Sequence, residues 1–168
     1  MKVEGFNEES RFFISASEQL GANPENVTYI ELIDKGGFQE MDPYIYERMI
    51  DPNKGIFAHE GSDGKREIVV FSHEKLLDNM GAASAIMERK LKFVGFTEAL
   101  LAFAKNPQLG VKQECIAALG PMNFIGVKPC NGGRRLFFIH IAIGPCVCLF
   151  KKGTKYLALQ PAEESEKS

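Results

Sequence analysis

A chain of 168 residues, 45% hydrophobic and 25% charged, fits one globular domain with a substantial core. No run reaches the roughly 18 uninterrupted apolar residues of a membrane span, and the polar, acidic opening MKVEGFNEES is unlike a secretory signal, so a cytoplasmic protein is expected. The net charge of −2 hides a split: residues 1–64 carry 5 basic and 13 acidic side chains, and residues 65–155 carry 14 and 6. Either the two halves fold together and pair their charges, or a basic face meets an acidic partner, a phosphate or nucleic acid.

In chain order, Asn7 can cap a helix running to Leu20, with Gly21 just past its end. Val27–Ile33 is rich in β-branched and aromatic residues and predicts a strand. Asp42-Pro43 starts a short helix to Ile50. Gly55–Glu60 and Arg66–Phe71 flank Gly61-Ser62-Asp63-Gly64 as a hairpin. Ser72 caps a helix that continues or bends at Gly81 towards Lys90, and Lys92–Gly95 is a short strand. Thr97 caps a helix over Glu98–Lys105, ended by Asn106-Pro107, and Val111–Leu119 favours helix. Leu136–Ile143 alternates, with Phe137 and Ile139 facing one way and Leu136, Phe138 and His140 the other. Cys146–Phe150 and Lys155–Gln160 complete a meander through short turns, which force antiparallel pairing.

The expected fold class is α+β: an antiparallel sheet ending in a C-terminal β-meander, with helices packed on one face. Residues 1–160 read as a single domain and 161–168 as a disordered acidic tail.

The densest chemistry lies in Pro129–Phe150. Cys130, His140, Cys146 and Cys148 offer three thiols and an imidazole, a donor set that suits zinc. The C-x-C spacing on a strand chelates poorly and its flanks are apolar, which favours packed thiols. Asn131-Gly132-Gly133-Arg134-Arg135 can form an anion-binding site, with backbone N–H groups at the glycines and two guanidiniums as donors. The competing reading of that segment is a hairpin turn, for which Asn-Gly is a strong signal. His59-Glu60 and His73-Glu74 repeat a His-Glu pair, but the expected hairpin register sets His59 opposite about Arg66 and keeps the two histidines apart. Basic clusters at Lys65-Arg66, Arg89-Lys90 and Lys151-Lys152 lack interleaved aromatics, and with a pI near 6.0 they argue against nucleic-acid binding.

Glu18–Phe38, EQLGANPENVTYIELIDKGGF, resembles the helix–strand opening of the Jag N-terminal module found in some RNA-binding proteins. The likeness covers about 21 residues, does not continue after Gln39, and carries over no function.

No serine-nucleophile elbow, Walker loop or G-x-G-x-x-G is present. The expectation is therefore a non-catalytic cytoplasmic binding module, regulatory or adaptor in role, that recognises a protein partner or a small anionic ligand. A homodimer through the meander would fit as well. The alternatives are a cysteine- or metal-dependent protein centred on His140, Cys146 and Cys148, or an anion or nucleotide binder using Asn131–Arg135.

Overall fold

The computed structural model describes residues 5–21, 23, 26–43, 45, 65–74, 79–111, 115–119, 123–140 and 153–161. These form seven strands and four helices: β1 (Phe6–Ile14), α1 (Ala16–Leu20), α2 (Tyr29–Lys35), β2 (Glu40–Met41), β3 (Arg66–His73), α3 (Asn79–Glu88), α4 (Phe96–Lys105), β4 (Ile116–Leu119), β5 (Asn123–Cys130), β6 (Gly133–His140) and β7 (Lys155–Leu159). The strands make one sheet in the order β1-β3-β7-β4-β5-β6-β2. The β4–β7 and β6–β2 pairs are parallel and the others antiparallel, so the sheet is mixed, not antiparallel as expected.

The C-terminal meander is also corrected. Both edges of β7 are occupied, by β3 and β4, so it cannot follow a preceding strand as the third arm of a meander. Its sequence explains the central position. Tyr156, Leu157, Ala158 and Leu159 are all buried, and a strand packed on both faces reads as a continuous apolar run. The same argument corrects Val111–Leu119: Ile116, Ala117 and Ala118 are buried on both faces of the sheet as β4, where no period of two could show.

Helices cover both faces rather than one. Ile68, Val70, Ile116, Leu136 and Leu157 pack with Leu32, Leu100 and Phe103 of α2 and α4. Phe71, Ala117, Phe137 and Tyr156, pointing the other way, pack with Ala82, Ala85 and Ile86 of α3. The alternation expected of Leu136, Phe137 and Phe138 is thus present, with each phase serving a different core.

Two local signals decide the N-terminal region against expectation. Residues 7–14 are strand, and the register slips between Glu8 and Ser10, leaving Glu9 as an extra residue. That bulge reverses the pleat: Phe6 stacks on Phe71 in one core, while Phe12 and Ile14 turn to the other. In the second place, Tyr29–Lys35 is helix rather than strand because Thr28 and Glu31 form a capping box, each side chain bonding the other's backbone N–H. The helix–strand likeness of Glu18–Phe38 therefore fails at its strand.

Strand β3 runs through Ser72 to His73, so Ser72 does not cap the following helix. At α4 the cap is Gly95 rather than Thr97, and the Glu98 carboxylate accepts from the Gly95 N–H at 2.9 Å. The expected helix to Ile50, the first hairpin strand and the Cys146–Phe150 strand lie mostly or wholly outside the described residues.

Charge pairing crosses the chain. Glu9 meets Lys155, Glu18 meets Lys65, and Arg11 meets Glu67, joining the acidic first part to the basic remainder.

Candidate functional site

The β5–β6 hairpin brings Asn131 and Gly132 to its tip, between the paired residues Cys130 and Gly133. Gly132 takes φ 78, the left-handed value that glycine adopts without strain. The two arginines that follow leave the tip in opposite directions, as successive strand residues must.

Arg134 points into the core of the α2/α4 face and is only 2% exposed. Its guanidinium donates to four main-chain carbonyls: Nη1 to Leu109 at 2.9 Å and Asn106 at 3.3 Å, Nη2 to Gly36 at 2.8 Å and to Phe103. It also stacks 4.9 Å from the Phe38 ring centroid. Gly36 is the C-cap of α2, Phe103 lies in the last turn of α4, and Asn106 is the C-cap of α4. One cation thus caps two helix C-termini, where carbonyls lack intrahelical partners and the dipole is negative. Burial lowers its pKa to about 10, which still leaves it charged at neutral pH.

Arg135, on the opposite face, pairs with Asp42 through Nε at 3.0 Å and with Glu40 through Nη1 at 3.0 Å. These bonds tie β2 to β6. Donating to Asp42, with the nearby charges of Asp42 and Glu40, raises the Arg135 pKa further. Neither guanidinium is presented at the glycine turn.

Cys130 is half-buried, and desolvation followed by the adjacent Glu40 carboxylate pushes its thiol pKa up, away from a reactive thiolate. His140 ends β6 opposite Asn123, seven residues along the strand from Gly133, the partner of Cys130. At the rise of a strand this separates the Cys130 and His140 backbones by about 23 Å, too far for one metal ion. Cys146 and Cys148, like His59, lie outside the described residues. Among the described residues no group of three His, Cys, Asp or Glu side chains is placed to hold a metal.

A different constellation does assemble. A cleft of about 340 Å³ opens where α1, α2 and α4 end, lined by Gln19, Leu20, Lys35, Ala104 and Lys105. Leu20 and Lys35 are the last residues of α1 and α2, and Lys105 is the last of α4. Three helix C-termini therefore meet at one opening. Among the described residues the lining holds two ammonium groups and no carboxylate. Among the described residues neither lysine forms an ion pair. Gln19 is held rigidly: its Oε1 accepts from Ser15 N–H at 3.0 Å and its Nε2 donates to the Leu101 carbonyl at 2.9 Å. Among the described residues these use one lone pair and one N–H of its amide. Arg134 sits behind the same wall, bonded to Gly36 and Phe103, the chain neighbours of Lys35 and Ala104.

Sequence reasoning missed Lys35 and Lys105. Lys105 reads locally as a cation in the last turn of the expected helix, and Lys35 follows a segment that reads as a strand. Only the packing of α2 beside α4 brings them to one cleft.

The chain matches no family model, no curated protein and no solved structure. Among the described residues no helix is long and apolar enough to cross a membrane.

Proposed function

We propose that the protein is a non-catalytic binding module that takes a small anionic ligand in the cleft between α1, α2 and α4. The observation that carries this reading is the convergence of Lys35 and Lys105 on one opening, with no carboxylate among the described residues of its lining. Leu20 and Ala104 add apolar surface to the same lining. Arg134 fixes the ends of α2 and α4 from behind, so the lysines are mounted on elements already held in place. The anion-binding role expected of Asn131–Arg135 thus passes to the lysines, with Arg134 as their support. A cytoplasmic setting fits Cys130, which is a thiol rather than half of a disulfide.

Calorimetric titration with inorganic phosphate tests the reading. The native chain is expected to bind, and the double variant Lys35→Gln, Lys105→Gln to lose binding at least tenfold with an unchanged melting temperature. Phosphate binding that survives both substitutions would place the anion elsewhere and remove the proposal.

A further inference from the structure

We infer that the ligand of this cleft is a dianion, a phosphoryl group or a dicarboxylate on a compact body, rather than a singly charged acid. The inference rests on the reading of the cleft as an anion site and goes on to its charge. Helix C-termini ordinarily repel anions, each carrying about −0.5 of a charge, and less for short helices. α1 and α2 span 5 and 7 residues, α4 spans 10, and their three ends meet here. Together they contribute at most about −1.5. Against them stand Lys35 and Lys105 at the opening and Arg134 behind it, three unit positive charges.

Counted over the described residues, whose lining side chains include no carboxylate, the balance is at least about +1.5. A monoanion leaves part of that charge unmatched, whereas a dianion neutralises it. Both lysines are compact ammonium charges on flexible stems, so they can follow the oxygens of a phosphoryl group or of two carboxylates without requiring a planar partner. Gln19 adds a fixed neutral donor at the same wall. The volume of about 340 Å³ sits near the lower end for ligand sites and so favours a small molecule over a full nucleotide.

The test compares acetate, inorganic phosphate and succinate as probes of the full chain, at about pH 8, where phosphate and succinate are doubly ionised. Expected is binding of at least one dianion roughly tenfold or more tighter than acetate, since a second charge close to two ammonium groups adds a comparable interaction. Whichever of phosphate and succinate binds tighter identifies the source of the charge, and either result supports the inference. Lys35→Gln or Lys105→Gln alone should bring the dianion down to the acetate level. Acetate binding as tightly as both dianions overturns the dianion inference while leaving the anion cleft intact. No binding by any of the three overturns the cleft itself.

Discussion

Arg134 is a buried cation whose described partners are carbonyls and an aromatic face. Four neutral acceptors compensate for its lost hydration, and the guanidinium fork can reach two helix ends at once, which an ammonium cannot. Arg134→Met would strand those carbonyls without a donor and is expected to cost roughly 3 kcal/mol or more in urea unfolding. Arg134→Lys should recover only part, because it keeps the charge but concentrates its donors at one point. A methionine variant as stable as the native chain would contradict the capping role. Adjacent residues thus have unlike fates: Arg134 braces helices, while Arg135 binds β2 through Asp42 and Glu40. The sequence RR marks both as candidate anion donors. Strand alternation says they part, but not what either one meets.

Among elements, β1 is paired on one side only within the described sheet, and ion pairs of Glu9 with Lys155 and Arg11 with Glu67 supplement that pairing. Glu8 lies below the ordinary glutamate pKa of 4.5 through its hydrogen bond from Arg11. For Glu9, desolvation acts upwards, but the bonds from Lys155 and Ser72 outweigh it and the value is lowered too. A carboxylate with a depressed folded pKa contributes stability that is present above its unfolded value and is lost as pH falls through the folded one. Amides of β1 should therefore lose hydrogen-exchange protection on acidification below about 4.5, ahead of β7 and β4. High salt at neutral pH should weaken the same strand, since these pairs are partly exposed. Equal acid sensitivity in β1 and β7 would contradict this account.

The same elements show what was legible. The β5–β6 hairpin follows from Asn131-Gly132 and from the alternation after it, and the helix over Glu98–Lys105 follows from its stop signals. The T-x-x-E of Thr28 and Glu31 is a helix-start signal too, but it lies inside a segment whose β-branched and aromatic residues read as strand. The Glu9 bulge was not legible, because a bulge breaks the period by which strands are recognised. Nor was the cleft, whose two lysines stand 70 residues apart and meet only through α2–α4 packing.

At the scale of the whole molecule, the last described strand completes the centre of the sheet. β7 joins the β1–β3 part to the β4–β5–β6–β2 part, so the two share no strand pairing without it. Leu157 is fully buried between β3 and β4 partners. Leu157→Ala is expected to destabilise by about 2–5 kcal/mol, with loss of both cores in one transition. Separate melting of the two parts in a thermal scan would show that β7 does not unite them. Dependence on this late strand also implies slow folding, because its contacts with β3 span much of the chain.

The central claim is the location of the anion cleft, and amide chemical-shift mapping with inorganic phosphate tests it most directly. The account predicts that shifts concentrate at the ends of α1, α2 and α4, around Gln19, Leu20, Lys35, Ala104 and Lys105, with the hairpin tip at Asn131 and Gly132 unmoved. Shifts centred on that tip, or none at the three helix ends, would contradict it.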